Sequence, residues 1–250
     1  MLIWIIIFTF LGSIASLIIA ATLLIKKGFI ETRIPWLVAF AAGAMLSAAF
    51  FDLLPEAHRE ALSFDTASNF VFFGIVVFFF LERSLLWYHH HACPEGDDCA
   101  GTKPTASLII SGDALHNFLD GVTIAASFLV SFQLGTVTAL AVFFHEIPHE
   151  IGNFGVLLDS GLSKRSALVY NILSGIVAFI GAFAAYYFLD VFRVFIPYLV
   201  AFAAGNFIYI AASDLIPELH SHFKKEAALS QTLSFIIGIV LILLTIRIFE

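Results

Sequence analysis

IPWLVAFAAGAMLSAAFFDLLPEAH, residues 34–58, returns as IPYLVAFAAGNFIYIAASDLIPELH, residues 196–220. At a constant offset of 162, fifteen of the twenty-five positions are identical. Two unrelated apolar helices share composition, but they do not reproduce D..PE.H in register, so the chain contains a duplication. GIVVFFFLER (74–83) against GIVLILLTIR (238–247) extends the likeness to the segments that follow.

Composition sets the environment of the repeat. The 250 residues are 60% hydrophobic and 12% charged, with 29 phenylalanines, more apolar content than a water-soluble core requires. A membrane-crossing helix needs roughly 20 apolar residues, and eight such runs fit at 1–25, 34–55, 67–88, 105–131, 135–159, 165–189, 195–217 and 229–249. The expected fold class is an all-α polytopic membrane protein forming a single transmembrane domain over 1–250. A net charge of −7 gives no footprint for nucleic acid.

Basic residues gather on the cytoplasmic side of short loops. With the amino terminus outside, nine of the twelve lysines and arginines fall inside: Lys26, Lys27, Arg33, Arg83, Lys103, Lys164, Arg165, Lys224 and Lys225. Both termini are therefore expected outside, in a plasma or inner membrane. No basic residue precedes the first span and no small-residue cleavage pattern follows a short apolar core, so that span reads as a retained helix rather than a signal peptide. In this topology the second and seventh spans run in opposite directions. Spans 1–3 and 6–8 form an inverted repeat around spans 4 and 5, an architecture that in secondary transporters places the substrate site near the midplane.

The repeat gives paired carboxylates a meaning. Asp52, Glu56 and His58 lie at the outer end of span two; Asp214, Glu218 and His220 lie at the inner end of span seven. They read as a cation entrance and its exit, or as markers of helix ends bent by Pro55 and Pro217.

The central spans carry the densest chemistry. In SGDALHNFLDG (111–121), His116 and Asp120 share one helical face, with Asn117 and Asp113 beside them. In HEIPHE (145–150), His145 pairs with His149 and Glu146 with Glu150 by the same spacing. Ionisable groups at bilayer depth are costly unless they pair, face water or hold an ion. Imidazole and carboxylate suit Zn2+ and, with the same ligand types, Fe2+, Mn2+, Co2+ and Cd2+. The ion is read as cargo, with no resident cofactor. A polar network or a proton relay is the bland alternative. Pro148 is expected to free the Phe144 carbonyl and kink the helix beside the ligands.

HEIPH also matches H-E-x-x-H, the zinc-peptidase helix, and Leu119, Asp120 and Gly121 supply an LDG. The proline inside the motif, the LDG preceding rather than following it, and the unexplained repeat all weigh against an intramembrane metalloprotease. A membrane metal sensor that does not transport is the other rival.

On these residues the chain resembles the Zrt/Irt-like (ZIP) family of divalent metal transporters, in the subgroup whose fourth helix carries a histidine-asparagine pair followed by an acid and glycine. The fifth helix of that subgroup reads His-Glu-x-Pro-His-Glu. His116, Asn117, Asp120 and Gly121 match the first, and His145, Glu146, Pro148, His149 and Glu150 the second. The resemblance implies eight helices, a metal site between helices four and five, and movement of metal into the cytosol rather than enzymatic turnover. It further implies a primary site around His116, Asp120 and His149, and a neighbouring one using Asn117, Glu146 and His145. Where some members place a carboxylate on helix six, this chain offers only Asn171 and Ser174.

The loop YHHHACPEGDDCAGTK (88–103) supplies His89, His90, His91, Cys93 and Cys99. It is expected to be cytosolic over 89–104, with its two cysteines reduced, and either collects metal weakly or is a flexible linker. The small-residue stretches AFAAG at 39–43 and 201–205 permit close helix packing, within the repeat or across a homodimer.

Overall fold

The computed structural model describes residues 1–25, 29–59, 63–91, 106–191, 193–221 and 225–249, and among them every regular element is helical. Eight rods follow one another. Leu2–Phe10, a π-turn Leu11–Ala15 and Ser16–Ile25 make α1 (2–25). Phe29–Ala48, the π-turn Ala49–Leu53 and Leu54–Arg59 make α2 (29–59). Then come α3 (Phe64–His91), α4 (Ala106–Val130), α5 (Phe132–Asp159) and α6 (Lys164–Val191). A short 3-10 turn, Arg193–Phe195, leads into α7 (196–221), built from Ile196–Ile210, the π-turn Ala211–Leu215 and Ile216–Ser221, and α8 is Lys225–Phe249.

Local chemistry sets the ends of the central rods. The Ser131 hydroxyl accepts from Leu134 N–H at 3.0 Å and starts α5; Ser163 does the same for Ser166 at 3.1 Å ahead of α6. Between them α5 stops at Gly161, whose φ of 95° lies in the left-handed region that glycine enters without strain. Leu162 N–H then bonds back to the Leu157 carbonyl at 3.2 Å.

Among the described residues six rods contain segments long and apolar enough to cross a membrane, and α4 and α5 are not among those six. The exception has a physical reason: the central pair spends its polar residues on the bundle interior, where lipid does not reach. Large apolar side chains such as Phe72, Phe79, Ile180 and Phe188 stand exposed on the outer faces, as expected where hydrocarbon is the solvent. The chain is an all-α, multi-pass integral membrane protein.

The inverted repeat is visible in the packing. α2 lies along α8, and α7 lies along α3. A Cβ on Gly43 would sit 2.2 Å from the Phe235 carbonyl oxygen; on Gly205 it would sit 2.1 Å from that of Val71. Gly74 approaches Phe202 O and Gly238 approaches Phe40 O in the same way. Each contact maps onto its mate by an offset of 162 between α2 and α7 and of 164 between α3 and α8. The AFAAG stretches therefore serve contacts inside the chain. The π-turns obey the same register, 49–53 against 211–215. The remaining rods form the second group: α4 packs along α6, and α5 along α1 as well as α2.

Candidate metal centre

Two turns of α4 and two of α5 meet in the interior and bring four side chains to one point. His116 Nε2 and His145 Nε2 are 3.1 Å apart. His116 Nε2 lies 3.7 Å from Asp120 Oδ2 and 3.3 Å from Glu146 Oε1; His145 Nε2 lies 3.4 and 3.3 Å from the same two oxygens. One ligand atom from each residue falls within 4.8 Å of every other. A tetrahedral zinc ion with ligands at 2.0–2.2 Å has ligand-to-ligand edges of about 3.3 Å. The five edges that involve a histidine scatter around that length, and the sixth, between the two carboxylates, is at most 4.8 Å, so the donors outline a tetrahedron of about the size zinc needs, open on its carboxylate edge. Two imidazoles in the set speak against the all-oxygen shells of magnesium and calcium.

The interior around these donors is dry. Asp120 is 2% exposed and His145 and Glu146 are 1% exposed. None of the four carboxylate oxygens of Asp120 and Glu146 accepts a hydrogen bond. Buried carboxylates are expensive, and the groups that face these two are the imidazoles at 3.3–3.7 Å, so the four side chains together offer a dication two charges and two ring nitrogens.

Neighbouring packing holds the tetrahedron. The Phe144 ring meets Phe40 of α2 edge-on at 4.6 Å, fixing α5 one residue before His145. His145 Nδ1 lies 3.2 Å from the Ala141 carbonyl, which turns its Nε2 inward. Fully buried Phe207 of α7 covers the imidazole, ring centroids 6.3 Å apart. α5 is continuous through Pro148, which lies within the helix between the two histidines.

His149 stands one step outside the four. Its ring lies 4.6 Å from that of His116, yet Nδ1 is 3.7 Å from both Glu146 Oε1 and Asp113 Oδ1. The resemblance groups His149 with the primary ligands and His145 with Glu146 in a neighbouring site; in the structure His145 and Glu146 complete the tetrahedron and His149 bridges outward. Asn117 turns its amide nitrogen to the Asp113 carbonyl at 3.2 Å and to Ser174 Oγ at 3.4 Å, tying α4 to α6. Asn171 and Glu150 are buried nearby, at 2% and 1% exposure.

A cavity of about 440 Å³ opens beside this cluster, lined in part by His145, His149, Asn153, Asp214 and Glu218. Its walls are the late turns of α5 and α7 and the early turns of α2, the ends nearest the Lys/Arg-rich loops. Asp214 and Glu218 thus share a space with the site, and His220 is exposed beyond them. Their repeat mates do not line that cavity: Asp52 is buried, Glu56 pairs with Arg59 at 3.2 Å, and His58 is exposed. Asn153 is the residue that sequence reasoning missed; its place four after His149 puts it on the ligand face. For the 89–104 loop, the side chains of His89, His90 and His91 and all of Cys93 and Cys99 lie outside the described residues.

Residues 88–246 match the model of the ZIP zinc transporter family. The chain belongs to that family. Among the relatives of this ZIP chain, the zinc transporter foi of Drosophila melanogaster is 43% identical over 143 residues, covering 56% of this chain and 20% of the relative. Human zinc transporter ZIP10 is 37% identical over 149 residues (56% and 18%), and human zinc transporter ZIP4 is 43% identical over 112 (45% and 17%). The chain spans about a fifth of the length of the curated relatives it matches.

Proposed function

We propose that this ZIP chain carries divalent metal ions across the membrane, Zn2+ foremost, inward to the cytoplasm, as a single transporter domain with both termini outside. The observation that carries the reading is the tetrahedron of His116, Asp120, His145 and Glu146, buried between the central helices yet adjoining a cavity that opens toward one face. A static structural metal would need no such opening, and an enzyme would need substrate access to a polarised water. The relatives carry the name zinc transporter, which agrees with the ligand geometry. Fe2+, Mn2+, Co2+ and Cd2+ fit the same donors and are the competing cargoes. Neither protease nor sensor is favoured by any feature of the site.

The exit runs past His149 and Asn153 to Asp214 and Glu218; Asp52, Glu56 and His58 serve as the symmetry-related entrance. Alternation between the two exposes one site to either face. The test is zinc entry into liposomes carrying the purified chain and an entrapped zinc dye. Saturable uptake in the native chain, reduced at least about a hundredfold by Asp120→Ala, is the expected result. Zinc that binds without ever crossing would refute transport and return the sensor reading.

A further inference from the structure

Away from the metal site, the seam between the α4–α6 pair and the α3–α7 pair leaves another cavity of about 440 Å³. Phe70 and Phe73 of α3, Val122 of α4, Ala184 of α6 and Phe202 of α7 are among its walls, and every described residue lining it is aromatic or aliphatic. Pockets of roughly 300–1,000 Å³ hold molecules of drug size, so the space exceeds a packing defect. Its walls offer an ion neither carboxylate nor imidazole.

The inverted repeat shows what the chain itself leaves out. Phe40, the mate of Phe202, is met by the Phe144 ring of α5, edge-on at 4.6 Å. Phe202 has ring neighbours on α3, Phe73 and Phe78 at 5.9 and 6.2 Å, but α4 brings only Val122 to the cavity. An apolar space left empty forfeits dispersion contacts, so this half needs a guest where the other uses a side chain.

The rim decides which guest. Phe73, Phe188 and Phe195 are each half exposed or more, which makes the cavity a recess continuous with the hydrocarbon-facing surface. Phe195 belongs to the turn Arg193–Phe195, which holds an exposed guanidinium at the end of the recess nearest the connection between α6 and α7. Tyr186 and exposed Tyr187 mark the same end of α6, as amphipathic rings do at a membrane interface. An apolar trough that ends at a cation has the two chemistries of a phospholipid, hydrocarbon and phosphate.

We infer that the seam is a phospholipid seat, in which one acyl chain fills the trough and the phosphate meets Arg193. Val122 follows Asp120 by two residues, about 200° around α4, so the guest packs on the back of a helix that carries metal ligands. The seat stands independently of the transport reading.

The test is native mass spectrometry of the full chain, reconstituted in vesicles of phosphatidylcholine and phosphatidylglycerol and re-extracted in mild detergent. One phospholipid is expected to stay on each native chain. Ala184→Trp, at an exposed position whose added ring enters the trough, should remove it, with thermal unfolding confirming that the variant folds. Ile180→Trp, one turn earlier on α6, exposed and outside the cavity, should keep it. Arg193→Gln should weaken retention about fivefold, the effect of one basic side chain at a membrane surface. A native chain that retains no phospholipid, retains detergent alone, or loses nothing on Ala184→Trp overturns the seat. Undiminished retention by Arg193→Gln overturns the place given to the phosphate.

Discussion

α2 and α7 are the same device in two settings. They share the D..PE.H motif, a π-turn in the same register, and a glycine pressed against the backbone of a partner helix. Yet Asp52 is 3% exposed, while Asp214 is exposed on the wall of the 440 Å³ cavity. The fold is symmetric and its state is not. The difference has a local sequence element as well, since Phe50 and Phe51 precede Asp52 where Ala212 and Ser213 precede Asp214.

The symmetric part is the easiest to break. Gly43→Val and Gly205→Val each drive a side chain into a carbonyl oxygen, 2.2 and 2.1 Å from the new Cβ, and neither neighbour is a side chain that could move aside. Each should cost about 3 kcal/mol or more of stability, and by the same amount within error. Thermal unfolding in detergent reads it, with Gly152→Val, which has nothing within 4 Å, as the mild control. Unequal losses at 43 and 205 would show that the two crossings are not equivalent.

The asymmetric part is sharpened by labelling. With Cys93 and Cys99 replaced by serine, Asp214→Cys should react with a water-soluble maleimide about tenfold or more faster than Asp52→Cys, since thiol reactivity follows access. Equal rates would mean that the chain in a bilayer does not hold this one-sided opening.

Much of this was legible in the sequence, for reasons that can be named. The repeat announced itself because identical residues at a fixed offset need no structure to be seen, and inversion followed from an even count of intervening helices. The cluster of histidines and carboxylates was legible because such groups are too costly in hydrocarbon to be incidental. What escaped was anything set by rotation about a helix axis. Spacing places His145 and His149 on one face, but the tilt of α5 on α4 decides that His145 points to Asp120 and His149 toward Asp113. The π-turns were hidden as well, since one added residue per turn leaves no mark in an apolar run.

The smallest effect tests how far the halves have drifted. Where α8 crosses α2, the Ser234 hydroxyl donates to the Trp36 carbonyl at 2.8 Å. The repeat-related pair is Phe70 on α3 and Tyr198 on α7, whose rings meet edge-on at 4.8 Å. One register thus carries a hydrogen bond in one half and an aromatic pair in the other. Hydrogen bonds between membrane helices average about 0.6 kcal/mol, whereas aromatic pairs contribute about 0.5–1.5 kcal/mol beyond area and truncation also leaves a void. Ser234→Ala should therefore lower stability by about 0.6 kcal/mol and Phe70→Ala by more, read from the same unfolding curves. The reverse order would mean that the crossing is held by its polar mate, and that Phe70, which also lines an apolar cavity with Phe73 and Phe202, already has room to be lost.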